Sequence, residues 1–239
     1  MQTVAVIPAR FEAQRFPGKL LADLNGKTVL QRTYEAVSNT GLFDAVWVAT
    51  DSDKIEHHIQ SLGGNVFRST LDHECGSNRV AECIEHLDTD VVINVQGDEP
   101  FISKQALSDL IDAFKNDTAK AIDLASLMIP INTQEDLENP NVVKVVTDQQ
   151  GRALYFSRAP IPFMRAPGQA YRHVGIYAFR KVALLEFYAQ QPTPLELAEK
   201  IEDIRYLEMG KVMQMLTTDF VGVGIDTPED LERAKKLLG

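Results

Sequence analysis

The chain has 239 residues, 44% of them hydrophobic and 24% charged, which is enough to bury a full core, and it carries no low-complexity run. Its formal net charge is -10 and no block of five basic residues occurs, which excludes a nucleic-acid surface built on many phosphate contacts. No apolar stretch approaches the roughly 20 residues of a membrane span, and Met1-Gln2-Thr3 runs into a strand without a basic leader; a cytoplasmic protein with neither a membrane segment nor nucleic acid as partner is expected. The two cysteines, Cys75 and Cys83, with His73 alone nearby, support neither a disulfide framework nor a zinc site.

In chain order, short β-rich apolar runs alternate with amphipathic segments, the pattern of a largely parallel sheet with helices on its faces. Strands are predicted at Thr3–Pro8, Ala45–Thr50, Asn65–Arg68 and Val91–Val95, and helices at Val29–Val37, Lys54–Leu62, Ser77–His86 and Ser103–Lys115. The second half is less regular. Strands are predicted at Ala125–Ile131, Val142–Val146, His173–Arg180 and Val212–Thr217, and helical periodicity at Val182–Gln190 and Leu195–Met209. Pro160, Pro162 and Pro167 forbid an ordinary helix between Ala159 and Gly168. The last helix opens at Thr227 as N-cap, with Pro228 at its first position and Asp230 closing a box-like start. No internal repeat and no linker is evident. One α/β domain over 1–239 is therefore expected.

Three segments hold groups that could do chemistry. The loop from Ile7 to Lys19 follows the first strand and carries Arg10, Arg15 and Lys19, at the strand end where open α/β sheets collect ligands. Gly18 permits close backbone approach, and arginine forks onto phosphate oxygens. The loop is neither a Walker A motif nor a dinucleotide fingerprint, and taken alone it does not decide between a phosphate cradle and an ordinary basic surface loop. Gln96-Gly97-Asp98-Glu99-Pro100 breaks off another buried-looking strand, and adjacent carboxylates there repel unless a cation compensates. Asp226 offers a second hard oxygen ligand, as Mg²⁺ sites that handle phosphates use; alone, it reads equally as part of a helix cap.

With these residues in view, the chain resembles the CMP-Kdo synthetases, the 3-deoxy-manno-octulosonate cytidylyltransferase family. The resemblance rests on IPARFEAQRFPGK (7–19), VATD (48–51), NVQGDEP (94–100), NPNVVKVV (139–146), ALYFSRAPIPF (153–163), RHVGIYAFR (172–180) and DTPEDLERA (226–234), in order along nearly the whole chain. It implies a Rossmann-like nucleotide-diphospho-sugar transferase fold, with a mostly parallel central sheet, and a smaller subregion at 150–195 that serves dimerisation and sugar binding in a homodimer. It also implies a reaction: CTP and an acidic 3-deoxy-ulosonic sugar give the CMP-sugar and pyrophosphate, in the service of lipopolysaccharide synthesis.

By the same resemblance, Arg10, Arg15, Lys19, Gly76, Ser77 and Arg79 would bind CTP, and Asp98 and Asp226 would bind Mg²⁺, with Lys19 sharing in catalysis. Gln96, Arg158, His173, Tyr177 and Glu199 or Glu202 would address the sugar. One motif departs. Where the family reads His-x-Ser-Gly-Thr-Asp-Arg, this chain reads His73-Glu-Cys-Gly-Ser-Asn-Arg79, with an amide in place of a carboxylate at Asn78. That leaves Kdo, its 8-amino analogue and a sialic-acid-like sugar open as substrates. A non-catalytic nucleotide-binding relative is the alternative of a different class, against which the retention of Lys19, Asp98 and Asp226 argues.

Overall fold

The computed structural model of the chain describes residues 1–11, 16–71, 76–220 and 222–238. They gather into two compact units, one formed by Met1–Leu107 with Gly222–Gly239 and the other by Ser108–Val221.

In the first unit, β1 (Thr3–Ala9) is an almost continuous buried run, as expected of a strand covered on both sides. A two-residue hairpin follows, β2 (Asp23–Leu24) and β3 (Lys27–Thr28), turning at Asn25 and Gly26 with φ of 51° and 81°. Asn-Gly is the pair such a turn favours, although the hydrophobic pattern gives no hint of strands so short. Then come α1 (Val29–Ser38), β4 (Ala45–Thr50), α2 (Asp53–Ser61), β5 (Asn65–Arg68), α3 (Gly76–Glu85) and β6 (Val91–Asn94), after which α4 (Lys104–Asn116) carries the chain into the second unit at Ser108. The strands lie in the order β6-β1-β4-β5, all parallel, with Thr3 beside Val91, Val4 beside Ala45 and Trp47 beside Asn65. Parallel order has a consequence for function. The carboxyl ends of β1, β4 and β6 share one edge, so Arg10, Asp51 and Asp98 all leave the sheet from that side.

The second unit contains β7 (Leu124–Pro130), α5 (Gln134–Glu138), β8 (Lys144–Thr147), β9 (Ala153–Ser157), β10 (Tyr171–Arg180), α6 (Lys181–Tyr188), α7 (Pro194–Glu199), α8 (Asp203–Glu208) and β11 (Met213–Thr217). Here β11 is parallel to β7, whereas β7 with β10, β10 with β8 and β8 with β9 are antiparallel. The register of β10 against β7 slips between Val174 and Tyr177, a bulge that re-aims the side chains on either side of it. The helical stretch expected over Leu195–Met209 is two helices, because Lys200 takes a left-handed conformation at φ 56°.

The chain then returns to the first unit with α9 (Pro228–Leu237). Its capping box is as expected: the Thr227 hydroxyl accepts from the Asp230 backbone N–H, and the Asp230 carboxylate accepts from the Thr227 N–H. Leu231 and Ala234 pack with Leu24, Val29 and Ile225. This small apolar cluster ties the final helix, and with it Asp226, to the hairpin that follows Lys19.

Candidate active site

Lys19 sits at the start of a single 3-10 turn, entered through Gly18 at φ 72°. That backbone is strained for any residue with a Cβ, so Gly18 is required by the turn that presents the lysine. Asp98 leaves β6 through a tight turn. A Cβ at Gly97 would stand 3.2 Å from the Pro8 carbonyl, and the Gly97 carbonyl accepts from Thr33 Oγ1 at 3.0 Å. The Asp98 carbonyl accepts from the Ile225 N–H at 3.0 Å, which brings the segment before Asp226 alongside. The result is that the Lys19 ammonium donates to both carboxylates, to Asp98 Oδ2 and, at 2.9 Å, to Asp226 Oδ1.

Burial alone would depress the Lys19 pKa, but the hydrogen bonds and charges of Asp98 and Asp226 outweigh it, and the pKa stands above its usual 10.5. The same two acids act on their neighbour. Burial, followed by the charges of Asp98 and Asp226, pushes the Glu99 carboxyl up to about 7, and its Oε2 has no hydrogen-bond partner among the described residues. The Lys19 ammonium thus stands between two carboxylates, with a third carboxyl beside them that burial makes harder to ionise.

Arg79, on α3, is buried at 1% exposure. It donates to the Ala9 carbonyl at 3.1 Å and to Asp51 Oδ2 at 2.5 Å. Burial lowers its pKa, the Asp51 carboxylate opposes that, and the like charge of Arg10 adds to it. Arg79 thus clasps the ends of β1 and β4 together beside Arg10. Asp51 is the partner that sequence reasoning passed over, although it closes the VATD segment at the same sheet edge. Ser77 lies in the first turn of α3, which Gly76 opens; Arg15, His73 and Cys75 lie outside the described residues.

The residues assigned to the sugar, apart from Gln96, belong to the second unit. Gln96 begins the turn before Asp98, its carbonyl accepting from the Glu99 N–H at 3.2 Å. Arg158 directs its fork at backbone carbonyls, those of Glu199 at 2.7 Å, Pro140 at 2.9 Å and Lys200 at 3.2 Å. The Glu199 carboxylate in turn accepts from Ser157 Oγ at 2.6 Å and the Arg158 N–H at 2.9 Å. A guanidinium has five donors, of which these bonds use three, so two have no partner among the described residues. Behind it the Lys144 ammonium, fully buried, donates to the carbonyls of Asn139, Val142 and Arg158 at 2.6–2.9 Å.

His173 and Tyr177 meet in a second cluster, their ring centroids 5.3 Å apart. His173 Nε2 lies 2.9 Å from Ser126 Oγ, and Tyr177 donates to Asp203 Oδ2 at 3.1 Å. Glu202, by contrast, is exposed where α8 begins, while its neighbour Asp203 is buried. Sequence reasoning took Glu202 and missed Asp203, because the left-handed break at Lys200 separates α7 from α8 and one helical phase cannot be carried across it.

Residues 4–214 match the family model for cytidylyltransferases. The 3-deoxy-manno-octulosonate cytidylyltransferase of Christiangramia forsetii is 58% identical, with 98% of this chain and 96% of the relative covered. That of Flavobacterium johnsoniae is 54% identical over 100% of this chain and 99% of the relative. This chain belongs to the 3-deoxy-manno-octulosonate cytidylyltransferase family. It is accordingly a nucleotidyltransferase. A solved CMP:2-keto-3-deoxy-manno-octonic acid synthetase, determined in complex with CTP, superposes with a TM-score of 0.94 at 35% identity, covering 100% of this chain and 98% of the other. A 4-diphosphocytidyl-2C-methyl-D-erythritol synthase from Anaerococcus prevotii shares the fold, with a TM-score of 0.66 at 18% identity, covering 99% of this chain and 98% of the other.

Within this cytidylyltransferase, the donor set around Lys19 suits a hard divalent cation. Two carboxylates from separate loops already converge on one positive group, and Oε2 of the neighbouring Glu99 has no hydrogen-bond partner among the described residues. Among the described residues no cluster of three or more His, Cys, Asp or Glu forms a closed metal cage. An ion held by Asp98 and Asp226 would keep coordination positions open to oxygens from elsewhere, as Mg²⁺ does at phosphate sites.

Proposed function

We propose that this enzyme transfers CMP from CTP to the anomeric hydroxyl of 3-deoxy-manno-octulosonate, releasing pyrophosphate, with Mg²⁺ bound by Asp98 and Asp226. The names of its relatives and the CTP complex of a structural neighbour support the substrates. The observation that carries the reading is the convergence of Asp98 and Asp226 on the Lys19 ammonium at the sheet edge where nucleotides bind.

The reaction is an in-line displacement at the α-phosphorus. The sugar oxygen forms the new P–O bond, the α–β anhydride bond breaks, and pyrophosphate leaves. Arg10 and Lys19, with Arg15 by family resemblance, oppose charge on the triphosphate as it moves to the leaving group. The uncommitted donors of Arg158 suit a sugar carboxylate, and Gln96, His173, Tyr177 and Glu199 or Glu202 suit its hydroxyls. Asp98 and Asp226 would hold Mg²⁺, which would supply Lewis-acid neutralisation of phosphate charge and a more acidic attacking hydroxyl. No side chain is needed as a covalent nucleophile.

The same reading includes work in the cytoplasm for lipopolysaccharide synthesis, and a homodimer formed through 150–195. Exposed Leu154, Phe163, Met164 and Leu195 support that surface, Phe163 being 86% exposed. Ser77-Asn78 in place of Thr-Asp keeps the 8-amino analogue, or another acidic sugar, as the alternative to Kdo. Pyrophosphate release from CTP and Mg²⁺ should be measured in parallel with Kdo, 8-amino-Kdo and sialic acid. Kdo is expected to be used best; release with none of the three would overturn the reaction, and preference for the amino sugar would overturn the sugar.

A further inference from the structure

Ser126, His173, Asp203 and Tyr177 form a buried chain of polar groups in the second unit, and the protons in it can be accounted for one by one. Ser126 Oγ lies 3.0 Å from the Val174 carbonyl, 2.9 Å from the Ile176 carbonyl and 2.9 Å from His173 Nε2. Both carbonyls belong to the bulged part of β10. They can only accept, and the hydroxyl has a single proton. With that proton on a carbonyl, the hydroxyl can serve His173 only as an acceptor, so Nε2 must carry hydrogen. Neutral His173 then has a bare Nδ1, which faces Asp203 Oδ2 at 3.6 Å. The same Oδ2 accepts from the Tyr177 hydroxyl at 3.1 Å. A lone pair opposite an ionised carboxylate is repulsive in a buried site, and a proton on Asp203 removes the conflict.

The arrangement looks like a hydrolytic Ser-His-Asp triad in outline, but it cannot act as one. Ser126 is fully buried, with its oxygen held against two backbone carbonyls. It is the pin of a bulge.

We propose that Asp203 is a positioning residue for sugar binding, acting as a carboxylic acid that holds the Tyr177 hydroxyl and faces the unprotonated Nδ1 of an Nε2–H His173. The proposal rests on the reading that His173 and Tyr177 address the sugar. Its electrostatics agree with the geometry. Burial pushes Asp203 up to about 7 against the opposing hydrogen bond of Tyr177, burial pushes His173 down to about 4, and Tyr177 lies well above 10. The groups around Asp203 are Ser126 on β7, His173 and Tyr177 on β10, and Glu202 and Tyr206 from its own segment, both of which act on Tyr177. On β9, packed against α8, Tyr155 interacts with Glu199 and Glu208. On α7, Glu196 pairs with Arg205 and Glu199 holds Ser157 and Arg158.

Above about pH 7, Asp203 ionises and the competent fraction falls, so the KM for the sugar is expected to rise roughly tenfold per pH unit while the KM for CTP does not follow. In Asp203→Asn, which keeps an acceptor for Tyr177 but cannot ionise, that rise should vanish. A sugar KM flat with pH in the wild type, or an alkaline rise that persists in Asp203→Asn, would overturn the proposal. Nitrogen NMR of histidine-labelled wild-type protein needs no variant of Asp203. Among the five histidines, the signal lost in His173→Gln should be that of a neutral Nε2–H ring at neutral pH; an Nδ1–H ring or an imidazolium would overturn the hydrogen-bond chain. Should no acidic sugar be turned over, the functional reading falls, and with it the positioning role, while the NMR result still decides the chain itself.

Discussion

Lys19 concentrates the electrostatics of the first unit's site in one ammonium. Replacing it by methionine keeps the stem and removes the charge between Asp98 and Asp226. By analogy with the loss of one preorganised donor from a transition state, kcat for CMP transfer should fall about 100-fold or more. Steady-state pyrophosphate release checks this; a rate within a few-fold of wild type would remove Lys19 from the charge-stabilising role. These three residues were legible in the sequence because each follows a recognisable boundary, Gly18 before Lys19, the end of β6 before Asp98, and a capping box after Asp226. Asp51 and Asp203 were not. Their roles depend on Arg79, Tyr177 and His173, 28, 26 and 30 residues away in the chain, and only the fold brings them together.

At the scale of elements, most strands and helices were legible from periodicity, and the failures have local causes. β2 and β3 have two residues each, too few to display a period, and β9 follows a turn with mixed polarity. The break between α7 and α8 falls on Lys200, where no glycine announces the left-handed conformation. The two short helices are held by Arg205, whose fork donates to Glu196 Oε2 at 2.7 Å and Oε1 at 2.5 Å, over the Phe187 ring at 4.0 Å. Glu196 also accepts from the Thr193 N–H, in the capping box of α7.

Glu196→Gln leaves a buried guanidinium without its counter-charge and should cost about 3 kcal/mol in urea unfolding. The pH dependence has a definite sign. Burial raises the Glu196 pKa, but the hydrogen bonds from Arg205 and Thr193 outweigh it, and the folded value lies below 4.5. The carboxylate's contribution is thus complete above its unfolded pKa and is lost as pH falls through the lower folded one. The gap between wild type and Glu196→Gln should therefore narrow in acid; a gap that stays constant down to acid unfolding would contradict the ion-pair account.

For the whole molecule, α/β alternation made the fold class legible, but no linker marks the two units because one boundary passes within α4. Proteins that divide inside a helix leave no compositional trace of the division. The residues proposed for CTP and the metal, Arg10, Lys19, Arg79, Asp98 and Asp226, all belong to the first unit, and Arg158, His173, Tyr177 and Glu199, proposed for the sugar, to the second. If 150–195 forms the homodimer, Phe163→Asp should convert a particle of twice the chain mass into one of single mass in sedimentation equilibrium. An unchanged mass would place the interface elsewhere.

The central claim is that Asp98 and Asp226 form the carboxylate pair on which CMP transfer depends. Its most direct test is CMP-sugar formation from CTP and Kdo, followed by phosphorus NMR, across a Mg²⁺ titration of wild type, Asp98→Asn and Asp226→Asn. Wild type should give CMP-Kdo and pyrophosphate in equal amounts only when Mg²⁺ is present, and each variant should lose about 100-fold or more of the rate. Wild-type turnover in a chelator, or near-wild-type activity in either variant, would contradict the assignment.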